Sequence, residues 1–275
     1  MLEKITQSLA GRVAIFKLLP FDNAELKNSK LLEDDWKKLL YKGYYPAIYD
    51  RGLEPRIFYN NYLQTYIDRD VTALTKVQDV GKFRNFLGLC AARSSQIFNL
   101  SHIANECGIS QPTEKSWLSI LESSYIIFLL RPYFENFSKR VIKSPKIYFY
   151  DVGLLSFLLG IRSLDELDNK QLLGNLFENL VVADMIKKNH HQYSLKEYWF
   201  WRDSNGHEID LLTKTGSSFD IYEIKSTSTI QSKLFKGLDF FDGISDGRVQ
   251  NKTIVYSGEQ IQNRSKYKIL PWHSD

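Results

Sequence analysis

The sequence predicts a mixed α/β protein in which a helical region precedes an αβββαβ unit. Two periodicities and the turns between them carry this. Apolar residues recur at helical spacing in successive stretches from residue 31 to residue 122. Strand-length runs with two-residue alternation fill 199–225 and return at 252–256. Gly108-Ile109-Ser110 and Asn205-Gly206 supply turns.

Residues 1–20 contain a strand-like stretch from Arg12 to Pro20 after Gly11, with no partner strand nearby in sequence. An orphan strand predicts the end of a larger sheet. Its free edge invites pairing, so an oligomer through this segment is expected. Residues 21–80 read as a helical linker region. Leu31 to Tyr41 forms a short helix stopped by Gly43, and Glu54 to Thr75 a longer one with Phe58, Tyr62 and Tyr66 on one side.

Residues 81–165 read as a winged-helix domain. Phe83 to Ala92 is the first helix, Leu100 to Cys107 the second with Ser101 as N-cap, and the third runs from Pro112 to about Glu122. Strands Tyr125 to Leu130 and Lys146 to Tyr150 follow, joined by a basic loop. The third helix exposes Gln111, Thr113, Lys115, Ser116 and Ser119. The loop adds Arg131, Lys139, Arg140, Lys143 and Lys146 against Glu135, a balance of +4 that matches the net charge of the whole chain. Nucleic acid, DNA foremost, is therefore the expected partner, with Lys115, Arg131, Lys139, Arg140 and Lys143 on phosphates. The alternative is a solvated wing or a protein-contact domain.

Residues 166–275 carry the chemistry. Gly174 to Lys188 reads as a helix with Leu176, Phe177, Leu180, Val181, Met185 and Ile186 as its apolar set. Glu178 lies at the edge of that stripe. It is costly to bury unless a cation or hydrogen-bond donors meet it; otherwise it reaches solvent or pairs with a lysine. Trp199 to Trp201 and Glu208 to Leu212 form a hairpin about Asn205-Gly206, which suits a primed turn with positive φ at both residues. Glu208 and Asp210 share one face there, and Ile209 and Leu211 the other. In the next strand, Phe219 to Lys225, Glu223 and Lys225 point the same way. Carboxylates and a lysine on one surface suit a hard divalent cation beside an anionic nucleophile or phosphate. Ile230 to Phe241 completes the unit as a helix and Lys252 to Tyr256 as a strand. His207 reads as a turn residue.

This order, with Glu178, Asp210, Glu223 and Lys225 at its key positions, resembles the PD-(D/E)xK restriction-endonuclease-like superfamily. The resemblance implies a catalytic set of Glu178, Asp210, Glu223 and Lys225 for phosphodiester hydrolysis. Asp210 and Glu223 would hold Mg²⁺ or Mn²⁺, Glu178 would reach the ion directly or through water, and Lys225 would orient hydroxide.

A wider resemblance spans nearly the whole chain. Ser8-Leu9-Ala10-Gly11-Arg12, Tyr62 to Val71, Tyr148 to Leu154, Gly174 to Asn179 and Trp201 to Lys225 look like the prokaryotic AAA-type ATPase family with a C-terminal domain of unknown function. That family implies an ATPase domain, a winged helix and a nuclease-like domain. The chain departs from it in lacking G-x-x-x-x-G-K-[ST], since Gly81-Lys82 is followed by Phe83. No ATP site is expected, and residues 1–20 look like the remnant of an ATPase domain end.

Composition sets the outer bounds. The 275 residues allow two modest domains, and 43% hydrophobic with 25% charged content is ordinary for a globular chain. Cys90 and Cys107 alone make no disulfide framework and no zinc cluster, which fits a reducing cytoplasm. No apolar run approaches the about 20 residues that span a bilayer, and no signal core opens the chain, so no membrane contact is expected. Beside the nuclease reading stand a non-catalytic DNA- or protein-interaction module and an ATPase relic without a function of its own.

Overall fold

Helix α1 (Asn23–Asn28) forms because the Asp22 side chain accepts the Glu25 amide while Glu25 returns a bond to the Asp22 amide. The computed structural model describes residues 12–71, 79–134, 141–168 and 170–274. Helices α2 (Trp36–Lys42), α3 (Pro46–Asp50) and α4 (Pro55–Thr65) follow. Gly43 ends α2 with φ +70°, and a Cβ there would lie 1.8 Å from the Tyr59 hydroxyl, so both conformation and space require glycine. The long helix expected from Glu54 to Thr75 instead changes to a π-helical turn over Tyr66–Val71, and residues 72–75 lie outside the described part.

Helices α5 (Val80–Ala92), α6 (Leu100–Cys107) and α7 (Gln111–Ser123) pack about Phe83, Phe86 and Trp117, with the tryptophan edge-on to both rings at 5.3 and 5.6 Å. The N-cap of α6 is Asn99, whose side chain accepts the His102 amide, two residues earlier than the expected Ser101. Strands β1 (Ile127–Leu130) and β2 (Lys146–Phe149) pair antiparallel, from Ile127 opposite Phe149 to Leu130 opposite Lys146. Asp151 then caps α8 (Val152–Leu158), its side chain accepting the Leu154 amide.

The C-terminal region is a six-stranded mixed sheet between two helices. Helix α9 (Lys170–His191) covers one face and α10 (Lys236–Ile244) the other. The strands are β3 (Tyr198–Arg202), β4 (Glu208–Thr215), β5 (Ser218–Lys225), β6 (Val249–Tyr256), β7 (Gln262–Arg264) and β8 (Tyr267–Pro271). Their order is β3-β4-β5-β6-β8-β7, with β5-β6 and β6-β8 parallel and the other pairs antiparallel. Sequence alternation did not reveal β7 or β8. The expected strand Phe219 to Lys225 pairs with β4.

Two expectations fail locally. Asn205 does not adopt positive φ, and only Gly206 does, at +90°. The Asp203 carboxylate accepts the Asn205 and His207 amides and so holds a wider loop than a primed turn. Ile209 and Leu211 also fall into different cores. Trp199 faces Leu212 and Trp201 faces Ile209, so Asp210 and Leu211 together oppose the single Phe200. That is a β-bulge, and it reverses the alternation at the residue of interest.

The helical region and the sheet share one hydrophobic core, running from Leu26 through Phe86 and Phe177 to Trp272. Asn179 of α9 ties them together. Its side chain accepts the Phe149 amide at 2.8 Å, donates to the Phe149 carbonyl at 2.9 Å and accepts the Ser94 hydroxyl at 2.8 Å. Residues 12–20 form no strand, and Val13, Ile15, Phe16 and Leu18 are exposed; residues 1–11 lie outside the described part. Among the described residues no helix is long and apolar enough to cross a membrane.

Asn179→Ala is expected to lower unfolding free energy by about 3 kcal/mol, because it strands a buried amide and carbonyl. Urea denaturation checks this, and a loss below about 1 kcal/mol would mean that the clamp contributes little.

Candidate metal centre

The β4–β5 ladder runs from Thr215 opposite Ser218 to Leu211 opposite Tyr222 and stops there. Beyond it the strands are joined by a side chain. The Asp210 carboxylate, turned by the bulge, accepts the Ile224 amide at 2.8 Å. The same oxygen accepts Lys225 Nζ at 3.1 Å, and Lys225 Nζ lies 2.9 Å from Glu223 Oε1. Asp210, Glu223 and Lys225 therefore converge where the sheet opens. Gly237, in the first turn of α10, permits close cover, since a Cβ there would sit 2.7 Å from the Glu208 carbonyl and 3.6 Å from Glu223 Oε2.

Glu178 takes the other course left open by its sequence position: it pairs with a lysine. Lys146 Nζ lies 2.8 Å from Glu178 Oε1 and 2.5 Å from Glu208 Oε1. The Tyr148 hydroxyl donates to the same Glu178 oxygen at 2.7 Å, and Arg202 Nη1 lies 3.0 Å from Glu208 Oε2. Lys146 was expected among the exposed wing cations. It is instead a buried member of this cluster, because β2 runs beneath α9. Tyr148, Glu208 and Arg202 also belong to the site. The shared face of Glu208 and Asp210 was a signal for one of these; nothing local marked Lys146.

The charges are strongly interdependent. Burial pushes the Glu178 carboxyl up, further aided by Asp210, and Lys146 offsets this only in part. Burial and the neighbouring Asp210 raise Glu223 to about 8 despite Lys225. Burial opposes ionisation of Asp210 too, but Lys225, Lys146 and the Ile224 amide prevail and hold it below its ordinary range. Both lysines are pushed up, since the surrounding carboxylates outweigh the burial that would lower them.

The donor set fits a hard divalent cation in part. Asp210 and Glu223 already converge on a positive charge, and Lys225 is one-third exposed, so its head has room to move outward. Glu178 is drawn aside by Lys146. Ligating atoms of Glu178, Asp210 and Glu223 do not all come within 4.8 Å of one another. Among the described residues, the group of three that does is Asp22, Glu25 and His191. There both carboxylates already serve the capping of α1, and the hydrogen bond that His191 donates to Asp22 raises the imidazole's pKa.

Lys115, Arg131 and Lys143 are exposed, while Lys139 and Arg140 lie outside the described residues. The loop between β1 and β2 is not free at its ends. Tyr133 and Ile142 donate amides to the Phe200 and Arg202 carbonyls, and Phe200 donates to that of Arg131. Residues 131–133 and 141–142 thus line the edge of β3. His207 stays a loop residue, paired with Asp203 at 2.9 Å and stacked on Phe240 at 3.7 Å.

Comparison with known proteins gives a coarse assignment. Residues 173–274 match a domain of unknown function, DUF4143, and residues 33–165 match another, DUF8612. Uncharacterized proteins Rv2008c of Mycobacterium tuberculosis and Mb2031c of Mycobacterium bovis are each 27% identical over 256 residues. Each alignment covers 92% of this chain and 55% of the relative, so the chain spans about half the length of the curated relatives it matches. No solved structure matches.

Because Glu223 is raised from 4.5 to about 8, the stability gained by keeping it protonated is full below its ordinary range. It is lost as pH climbs through about 8. Wild-type melting temperature is therefore expected to fall relative to Glu223→Gln between about pH 5 and about pH 9. Parallel melts check this; curves that stay parallel across the range would contradict the raised value.

Proposed function

We propose that the chain is a nucleic-acid-binding protein with a metal-dependent nuclease-like site. The convergence of Asp210, Glu223 and Lys225 at the open end of β4 and β5 carries the reading. Asp210 and Glu223 would hold Mg²⁺ or Mn²⁺, with Glu178 behind them. The cation would lower the pKa of a bound water and offset charge growing on a phosphodiester. Lys225, released from its bridge between the two carboxylates, orients the attacking hydroxide. The element order supports a PD-(D/E)xK-like reading: α9 bears Glu178, β4 Asp210, and β5 Glu223 and Lys225. The succession of α5, α6, α7, β1 and β2 supports a winged helix, and the match of residues 173–274 supports kinship with the AAA-type ATPase family.

One observation favours a second reading, a non-catalytic interaction module. Glu178, Glu208, Asp210 and Glu223 already face Lys146, Lys225 and Arg202, so most of the cluster's charge is met by the protein itself.

Thermal melts separate the two. In about hundredfold excess over its Kd, Mn²⁺ is expected to stabilise the wild type by about 3 kcal/mol and to raise the melting temperature by several degrees. Asp210→Asn abolishes the shift, and Lys225→Ala keeps it but removes hydrolysis. An unchanged wild-type melt would select the interaction module. Separately, Arg131→Glu with Lys143→Glu should weaken binding to every duplex alike and reduce the salt slope by about 2. Unaltered anisotropy titrations at low salt would remove the wing from the nucleic-acid interface.

A further inference from the structure

The four carboxylates of the cluster are divided between two lysines that differ in freedom. Lys225 bridges Asp210 and Glu223 and is one-third exposed. Lys146 bridges Glu178 and Glu208 with only 3% of its side chain exposed. Its strand is fixed on both sides. β1 pairs with it along one edge, and Ser94 and Ile97 bridge to it along the other. From above, Asn179 holds the main chain of Phe149, and Tyr148 shares the Glu178 oxygen that Lys146 contacts. Were Lys146 to leave, Glu178 and Glu208 would lose the ammonium they share and keep only the Tyr148 hydroxyl and the Arg202 guanidinium.

Resting on the cation reading above, we propose that Lys146 is a resident cation occupying the Glu178–Glu208 half of the cluster, so that the site admits one divalent ion, at Asp210 and Glu223. Two neighbouring carboxylate pairs would otherwise suit two adjacent divalent ions, which is the common arrangement in phosphoryl chemistry. A fixed ammonium repels a second dication and takes the oxygen atoms it would need. Lys146 also reaches the cluster from the strand that follows the helical region. The ion capacity of the sheet is therefore set by a residue outside the sheet, and Lys146 acts as a positioning residue that keeps Glu178 away from the ion.

The test counts ions. Titration of the purified chain with Mn²⁺, followed by calorimetry and by the electron paramagnetic resonance signal of free ion, is expected to give one ion per wild-type chain. Glu208→Gln should also bind one, with affinity within about threefold of wild type, because that carboxylate faces Lys146 and not the ion. Lys146→Met should bind two, and adding Glu208→Gln to it should return the count to one. If Lys146→Met does not fold without metal, Lys146→Arg, which keeps the charge, should still bind one. Two ions in the wild type, a Glu208→Gln variant that loses its ion, or a folded Lys146→Met with a single ion would each overturn the role of Lys146 while leaving the cation reading intact. No ion in the wild type would instead overturn the cation reading and this inference with it.

Discussion

Asn179 pairs with the main chain of Phe149 as a neighbouring strand would, using both ends of its amide. Helix α9 is thereby held against β2 at a fixed height and rotation. Glu178, one residue earlier, must then meet whatever the neighbouring positions of β2 present, and these are Lys146 and Tyr148. A helix residue and a strand residue far apart in sequence become partners because one buried amide leaves no other register. Leaving that amide unpaired in the shared core would cost about 1–3 kcal/mol per polar group. Sliding α9 by one turn would orphan it and place Glu178 against apolar side chains.

Within that frame the bulge opposite Phe200 aims the second carboxylate. In a regular strand Asp210 would share one face with Glu208 and leave the ladder's hydrogen bonds to the backbone. With two residues set against one, its side chain reaches the Ile224 amide and replaces a ladder bond with a charged one, the stronger kind. The strands part at this point and leave space for Glu223 and Lys225. The resulting site is an alternation of buried charge, carboxylate against ammonium, in which each ion is tolerable only because of the next. Such a network holds geometry more than it adds stability, since desolvation of each ion consumes most of the attraction.

Asp210, Glu223 and Lys225 were legible in the sequence because strand alternation is local and places residues two apart on one face. Glu178 was legible as a carboxylate on an apolar stripe, though its partner was not. Lys146 looked like one more cation in a basic loop; only the docking of α9 turns it inward, and docking depends on contacts that no window of sequence contains. The reversal between Ile209 and Leu211 was hidden for a related reason, since a bulge is defined by the opposite strand. Strand β7, Gln262 to Arg264, is polar and three residues long, so it carries no alternation to read. Helix α8 was hidden by its first residues. Gly153 marks a turn in isolation, yet here a Cβ would come within 2.2 Å of the Tyr59 hydroxyl, so the glycine serves close packing inside a helix.

Helix α9 is held a second time near its other end. Lys187 is buried, with burial lowering its pKa against the pull of Asp184 and Asp151; it donates to the Phe21 carbonyl and lies 3.6 Å from the Tyr44 ring centroid. Asp184 accepts the Asn23 amide at 2.7 Å, and His191 meets Asp22 at 2.8 Å. The segment entering α1 is thus bolted to the same helix that carries Glu178, about 14 Å along its axis at 1.5 Å per residue. Asn179 sets the height of α9 on β2 through directional bonds to Phe149, and Lys187, Asp184 and His191 fix its far end to Phe21, Asn23 and Asp22.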